Sequence, residues 1–216
     1  MMGTTQESWL AHGLKASTRA KKRWQVVGNG TIMGETYMPR EAASWLAKDA
    51  PERNKRYTLN GIELAKAGLP FNFDNWGGYP AARARLLAAA QAASANLVML
   101  SGDSHNAWAY ELSNKGRPAG VEFAGHAVTS PGYESSTTGT DPEVVAAAIL
   151  KSSPELKWCD TSRRGYMALT LTPNADQRMG VYADNRGTLA SNTGRTPNAR
   201  EAGNSTIRNR VSDWSS

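Results

Sequence analysis

Apolar residues recur at helical spacing near the N-terminus, where Trp9, Leu10 and Leu14 fall on one face of a predicted helix. Thr4 and Glu7 precede them with the spacing of a capping box, in which two side chains satisfy backbone N–H groups of the first turn. The pattern therefore predicts a short amphipathic helix that begins near Thr4.

The clearest helix pattern follows Pro80, a residue that the first turn of a helix accepts because an N–H would have no partner there. Leu86 and Leu87 belong to an apolar face that continues for about three turns, which predicts a helix over residues 80–93. Residues 96–100 then form a short and mostly apolar run, which is typical of a strand buried on both faces.

Weaker patterns predict the remaining elements. A helix should start after Asp141, a capping residue, with Pro142 at its first position. Residues 37–75 show no sustained period beyond a short helix at 40–48, so this stretch is either functional or contains an element that the pattern does not show. Strands are predicted at residues 24–27, 120–128 and 165–172, the last of them paired with residues 178–183.

Composition limits the class of protein. The chain has 216 residues, a length typical of one domain or of one domain with a tail. With 40% hydrophobic and 20% charged residues, it is too apolar for a disordered chain and too charged for a membrane bundle. No stretch approaches the roughly 20 consecutive apolar residues that a membrane-spanning helix needs. Because Cys159 is the single cysteine, an internal disulfide and a cysteine-rich zinc cluster are excluded.

The formal charge of +6 is compatible with nucleic acid, an anionic surface or a phosphate-bearing substrate. The one tight basic run, at residues 19–23, directly precedes a predicted strand, and no nucleic-acid recognition motif accompanies it. We therefore expect a solvated surface segment there. Residues 1–15 lack the basic leader, apolar run and cleavage site of a secretory signal peptide.

Candidate chemistry follows the predicted strand at 96–100, on a loop that Gly102 allows to bend. Asp103 and His105 lie two residues apart, so a local bend can turn both toward one point. Carboxylate and imidazole groups are ligands that iron, zinc and manganese accept. Structural roles explain the same residues: Asp103 can cap a turn, and His105 can pack beneath Trp108.

The same loop contains a Gly-Asp-Ser sequence, in which Ser104 is a candidate nucleophile that needs a general base. Such a base is expected as a histidine that follows an aspartate by three positions. The only later histidine is His126, and Phe123 stands three positions before it, so this interpretation lacks its base. We expect His126 to be a packed side chain and His12 a surface residue of the first helix.

Several segments together resemble the PhoD-like alkaline phosphatases, also called the alkaline phosphatase D family. Their order and spacing agree over most of the chain, apart from the last thirty or so residues. The segments are QESWL at 6–10, WQVVGNGTIM at 24–33, DNWGGYPAARARLL at 74–87, LVMLSGDSHNAW at 97–108, VEFAGHAVTSPG at 121–132 and RGYMALTLT at 164–172.

The resemblance implies an α/β (α+β layered) fold of the calcineurin-like metallophosphoesterase type, a two-sheet sandwich with outer helices. Family members are exported and hydrolyse phosphomonoesters and phosphodiesters with iron and calcium. We therefore expect a phosphate ester substrate, iron and calcium or other divalent metals, and a secreted or periplasmic location. His105 is the best metal-ligand candidate and Asp103 the next, because both match the family's last metal-binding loop.

Four further residues are candidates for the active-site mouth or for substrate contact. Asp74, Trp76 and Tyr79 match an Asp-x-Trp-x-Gly-Tyr element of the family, although an aspartate beside aromatic residues is as readily a structural anchor. Asn29 ends a predicted strand near the position where related metallophosphoesterases have a ligand.

The family's earlier metal ligands belong to a half of the domain that would precede Met1. We therefore expect residues 1–184 to be the C-terminal part of a PhoD-like metallophosphatase domain, and residues 185–216 to be a polar, loosely ordered tail. Two functions remain as alternatives. One is metal-dependent phosphoester hydrolysis that needs a missing N-terminal half-domain as partner, and the other is a non-catalytic fragment or degenerate scaffold that retains a partial metal site.

Overall fold

The computed structural model describes residues 2–171 and the backbone of residues 177–184, and within them four α-helices and seven strands are mixed along the chain. The helices are α1 (Thr4–Arg19), α2 (Glu52–Lys66), α3 (Pro80–Ala92) and α4 (Pro142–Ser152). The strands are β1 (Gln25–Gly28), β2 (Leu97–Ser101), β3 (Ala107–Asn114), β4 (Arg117–Ala124), β5 (Leu156–Asp160), β6 (Arg164–Leu171) and β7 (Gln177–Asp184).

Five strands form one sheet in the order β1-β2-β4-β3-β5. β1, β2 and β4 run parallel, whereas β3 is antiparallel to both of its neighbours. β6 and β7 form a separate antiparallel hairpin. The carboxyl ends of the three parallel strands therefore meet at one end of the sheet, where loops of α/β enzymes commonly carry function.

Both faces of the sheet are covered. Along β2, Leu97 and Met99 pack into a cluster with residues of α1, α3 and α4, whereas Val98 packs into a second cluster with β6. Successive side chains of a strand point to opposite faces, so a strand between two covered faces needs apolar residues at every position. This explains why residues 97–100 are a continuous apolar run.

A buried carboxylate ties the loop after β1 to the sheet. Glu122 of β4 is fully buried and accepts hydrogen bonds from the backbone N–H groups of Met33 (2.8 Å) and Gly34 (2.7 Å), and from the Ser101 hydroxyl (2.5 Å). Burial raises the pKa of Glu122, although these hydrogen bonds act in the opposite direction. The contacts hold the loop against the end of the sheet where the parallel strands terminate.

A buried arginine joins helix α3 to two loops. The guanidinium of Arg83 donates to Glu155 at 2.6 Å and to the carbonyl oxygen of Met33 at 2.8 Å. The side chains of Arg83 and Glu155 are 8% and 12% exposed. The ion pair therefore lies mostly out of water, where removal of Arg83 would leave the charge of Glu155 buried and unpaired.

Most of the strongly patterned elements are confirmed. α1, α3 and α4 occur where the sequence predicts them, and β6 pairs with β7 as expected. Asp141 caps α4 as predicted, because its carboxylate accepts the backbone N–H of Glu143 at 2.9 Å. The sheet and its helices agree with the predicted α/β fold class.

Other predictions are wrong. Gly3 is the N-cap of α1 and makes no side-chain cap, so Thr4 and Glu7 form no capping box. The helix predicted at 40–48 is a short 3₁₀ turn, Arg40–Ser44. Strand β4 is Arg117–Ala124, so the strand predicted over 120–128 begins and ends too late in the sequence. Three elements were not predicted at all, namely α2, β3 and β5.

The described part of the chain contains no helix that is both long and apolar enough to cross a membrane. Residues 185–216, predicted to be a loosely ordered tail, lie outside the described residues. The division of the chain at residue 184 therefore stays a prediction.

Candidate functional site

The loop between β2 and β3 carries the candidate chemistry. Asp103 and His105 both have positive φ angles, of 65° and 63°. This conformation is uncommon for residues other than glycine, although Asp and His adopt it more readily than most. Lys21, Ser94 and Lys115 adopt the same conformation in ordinary turns, so the positive φ angles show how the loop bends and do not by themselves indicate function.

One of the two ring nitrogens of His105, Nδ1, takes part in a hydrogen bond, and the other, Nε2, has none to the described residues. Its Nδ1–H donates to the carbonyl oxygen of Pro131 at 2.8 Å, and the side chain is half-buried. This hydrogen bond assigns the proton to Nδ1 and leaves the Nε2 lone pair for a ligand. Metal-binding histidines usually donate their second ring N–H to a carbonyl or carboxylate in this way.

The segment that contains Pro131 packs against the buried side chain of Asn106. Asn106 is fully buried, and its side-chain oxygen accepts the backbone N–H of Tyr133 at 3.3 Å. A Cβ atom on Gly132 would lie only 2.5 Å from the amide nitrogen of Asn106. Glu134 accepts the backbone N–H of Gly132 at 3.0 Å. The position of the Pro131 carbonyl therefore depends on close packing between Asn106 and Gly132.

Ser104 does not have the surroundings of a nucleophile. Its hydroxyl donates to the carbonyl oxygen of Asn106 at 2.9 Å and accepts the indole N–H of Trp108 at 2.7 Å. His105, the nearest imidazole in sequence, bonds to Pro131 instead. The geometry gives Ser104 a structural role in the loop and offers no support for a serine-hydrolase mechanism.

A cavity of about 610 Å³ opens beside this loop. Asp103, Ser104, His105 and Asn106 form one part of its wall. The other parts include residues of α2, residues between positions 31 and 46, and the segments around Phe71 and Tyr133. Its volume lies within the range of roughly 300 to 1,000 Å³ that is usual for small-molecule sites. The predicted site loop therefore faces a space that is large enough for an organic ligand.

The four predicted mouth residues separate into different environments. Asp74 is exposed and lines the cavity. Trp76 is buried, and its indole N–H donates to the side-chain oxygen of Asn29 at 3.3 Å. The amide of Asn29 in turn donates to the carbonyl oxygen of Thr31. Trp76, Asn29 and the half-exposed Tyr79 do not line this cavity, so the contacts of Trp76 and Asn29 favour anchoring of the loop after β1.

His126 and Asp160 form a second buried group near the same end of the sheet. His126 follows β4, its side chain is fully buried as expected, and its Nε2 lies 3.7 Å from the Asp160 carboxylate. Burial opposes ionisation of Asp160, yet the nearby imidazole of His126, the backbone N–H of Ser162 and the charge of Arg163 lower its pKa. Asp160 was not predicted from the sequence: Ser162 and Arg163 are its neighbours along the chain, but His126 comes from the segment after β4.

His12 lies where it was predicted. It is exposed on α1, and its Nδ1 contacts the carbonyl oxygen of Ser8 at 2.7 Å. It lies outside the cavity wall.

Asp103 and His105 provide fewer metal-ligating side chains than a complete metal centre requires. Among the described residues, no group of three or more His, Cys, Asp or Glu side chains is arranged to hold a metal ion. Hydrolytic metal centres typically combine about three protein ligands with a bound water. Asp103 and His105 therefore fit a share of a metal centre and do not fit a complete one.

Sequence reasoning missed a large part of the cavity wall. Arg53, Asn54 and Tyr57 come from α2, a helix that was not predicted. Tyr133 comes from a 3₁₀ turn, Tyr133–Ser135, whose position depends on Asn106. Pro51 and Glu52, a proline and an acidic residue at the start of α2, were the available signal for this helix.

Comparisons with known proteins show which family the chain resembles. The sequence profile of the family described as PhoD-like phosphatase matches residues 1–179. Alkaline phosphatase D of Bacillus subtilis (strain 168) is 28% identical over 200 residues, which are 88% of this chain and 28% of that protein. A solved structure described as "Structure of PhoD" has a TM-score of 0.56 at 23% identity and covers 84% of this chain and 29% of that one.

The structural match confirms the predicted fold class, a mixed α/β architecture consistent with the calcineurin-like type. The chain spans less than a third of the length of either protein. Because the profile extends over most of the chain, the chain belongs to the PhoD-like phosphatase family.

Proposed function

We propose that this chain takes part in metal-dependent hydrolysis of phosphate esters and supplies His105 and Asp103 as metal ligands. Family membership supports phosphoester hydrolysis in general. The observation that carries the proposal for this chain is the orientation of His105, whose Nδ1–H is fixed by Pro131 while Nε2 remains available beside the cavity.

The second part of the proposal is that the chain is an incomplete catalyst on its own. Two donors from one loop hold a metal weakly, because each missing ligand must be replaced by water or by another group. A chain that spans 28% of the alkaline phosphatase D from Bacillus subtilis is consistent with a further segment that supplies the remaining ligands. By family resemblance the metals are iron and calcium, and the complete protein is exported.

The experiment is a hydrolysis assay of the purified 216-residue chain with bis(p-nitrophenyl) phosphate, with iron and calcium added and with chelator as blank. The variants are His105→Ala and, as matched control, His12→Ala, which removes an exposed histidine outside the cavity. We expect weak, chelator-sensitive turnover that His105→Ala abolishes and His12→Ala leaves unchanged.

The other outcomes distinguish the parts of the proposal. Strong chelator-sensitive turnover by the chain alone would contradict its incompleteness. Turnover that is equally high in His105→Ala would contradict the role of His105. Wild-type turnover no higher than that of the chelator blank would favour the alternative, a non-catalytic scaffold with a partial metal site.

A further inference from the structure

Four aromatic rings line the cavity in a row that runs from the site loop to the surface. The ring of Trp108 meets that of Tyr133 edge to face, with centroids 6.3 Å apart. Tyr133 is followed by Phe71 at 6.3 Å, and Phe71 by Tyr57 at 4.9 Å with an interplanar angle of 70°. We call Trp108, Tyr133, Phe71 and Tyr57 the aromatic row.

The inner end of the aromatic row is attached to the His105 loop. The indole N–H of Trp108 donates to the Ser104 hydroxyl at 2.7 Å. Tyr133 lies two residues after Pro131, whose carbonyl oxygen accepts the Nδ1–H of His105. A ligand with one end at His105 would therefore have its other end beside these rings.

The outer end of the aromatic row is exposed. Trp108 is 3% exposed and belongs to the core, whereas Tyr57 on α2 is 50% exposed. Edge-to-face geometry leaves ring surface available for a further flat ring, and such contacts add to affinity beyond the apolar area that they bury. Core packing alone does not require a half-exposed tyrosine at this position.

Three polar groups in the cavity wall indicate which part of a ligand each end of the cavity accepts: Tyr133, Arg53 and Asp74. The hydroxyl of Tyr133 is buried and has no hydrogen-bond partner among the described residues, so it can donate to a ligand atom or to water. Arg53 and Asp74 both line the rim near Tyr57, and their opposite charges do not favour an anion there. A phosphoryl group is therefore expected at the His105 end, and an uncharged ring along the aromatic row.

We propose that the aromatic row binds a flat aromatic ring in the alcohol portion of the phosphate ester. Placement of the phosphoryl group at His105 rests on the proposed function, whereas the binding site for the ring is inferred from the geometry of the cavity alone. Aryl phosphates and nucleoside phosphates share this chemistry, and the cavity of about 610 Å³ has room for either.

The experiment is an NMR titration of the full chain, with and without added Zn²⁺, with five separate probes. Phenol tests the ring alone, and inorganic phosphate tests the anion alone. Phenyl phosphate and cyclohexyl phosphate compare a flat with a puckered ring of similar size, and adenosine monophosphate tests the nucleoside source. Tyr57→Ala removes the exposed ring, and Trp9→Ala removes a 70% exposed aromatic residue of α1 outside the cavity.

We expect phenyl phosphate to bind more tightly than cyclohexyl phosphate. Tyr57→Ala should weaken phenol and phenyl phosphate by about 2- to 10-fold, in line with the usual strength of an aromatic pair. Inorganic phosphate should not respond to Tyr57→Ala, and no probe should respond to Trp9→Ala. Tyr57→Phe should retain wild-type affinity, because it keeps the ring.

Equal affinity for phenyl and cyclohexyl phosphate, or affinities that Tyr57→Ala leaves unchanged, would overturn the ring site. Phenol binding that depends on Tyr57, without any phosphate binding, would support the ring site and count against the proposed function. If adenosine monophosphate binds more tightly than phenyl phosphate, the natural ring is assigned to a nucleoside, and the reverse order assigns it to an aryl group.

Discussion

Gly132→Ala tests how His105 is held in place. Gly132 has a φ of −109°, which alanine also adopts, so the substitution introduces no backbone strain. The new Cβ would lie 2.5 Å from the amide nitrogen, 2.8 Å from the oxygen and 2.9 Å from the Cγ of Asn106. Since Asn106 is fully buried, it has little room to move away.

Two effects of Gly132→Ala should lower the free energy of unfolding. Overpacking of a buried site costs about 1 to 3 kcal/mol. Displacement of Tyr133 would also weaken its 3.3 Å hydrogen bond to Asn106, which is worth about 0.5 to 1.5 kcal/mol. For a protein of this size each kcal/mol lowers Tm by roughly 2 to 4 °C, so we expect a decrease of about 3 to 18 °C.

The assay combines thermal denaturation with ¹⁵N NMR of the His105 imidazole. We expect the resonance of Nδ1 to shift, because Pro131 moves together with Gly132. Asn106→Ala removes all three atoms that the new Cβ would meet, so in that background Gly132→Ala should cost much less than in wild type. Gly139→Ala is the control, because no atom lies within 4 Å of its new Cβ.

An unchanged Tm together with an unchanged His105 resonance in Gly132→Ala would refute this account of the loop. Strict additivity of Gly132→Ala and Asn106→Ala would also refute it, because the collision between these two residues would then not be the cause.

Three further predictions concern charged groups. Arg83→Met leaves the Glu155 carboxylate with its hydrogen bonds from Ser113 but without its cation, and should cost about 3 to 5 kcal/mol in urea denaturation. A cost below about 1 kcal/mol would show that the pair is not effectively buried. Arg85→Ala breaks a bidentate ion pair with Glu7 at the surface and should lower the urea midpoint only slightly, so a decrease as large as that of Arg83→Met would contradict its exposure. Because folding lowers the pKa of Asp160, its ionised form stabilises the fold above the ordinary carboxyl pKa of 3.8, and this stability is lost as the pH falls below that value. Asp160→Asn should therefore reduce the decline of Tm in acid, and a variant with the same decline as wild type would contradict the prediction.

Local signals explain which elements the sequence predicted. Pro80 and the apolar face behind it define α3, and Asp141 with Pro142 defines the start of α4. These features act within one or two turns, so they can be recognised without knowledge of the fold. β2 was recognisable for a similar reason, because both of its faces are buried.

The missed elements depend on distant contacts. Helix α2 is amphipathic, but charged and polar residues outnumber its apolar ones and it buries only Thr58, Gly61 and Ile62, so its apolar face is not obvious from the sequence. β5 carries Lys157 and Asp160 among its five residues, and it is a strand because it pairs with β3. Propensity alone does not identify such segments.

The candidate site shows the same division. Asp103 and His105 could be selected because they follow a buried strand on a glycine-containing loop. The groups that surround them could not, because Pro131 lies 26 residues away from His105 and the ring of Tyr57 reaches the cavity from a separate helix. The sequence therefore indicated the chemical groups, and the fold supplies their orientation and the cavity.

The most direct test of the central claim is an NMR titration of ¹⁵N-histidine-labelled protein with Zn²⁺, a diamagnetic stand-in for iron at an imidazole ligand. The chain has three histidines, and the single alanine variants assign their signals. The account predicts that Zn²⁺ shifts Nε2 of His105 first, that Nδ1 stays protonated, and that Asp103→Asn weakens the effect. A titration in which His105 does not respond, or in which His12 responds first, would contradict the claim that this loop is the metal-binding part of the chain.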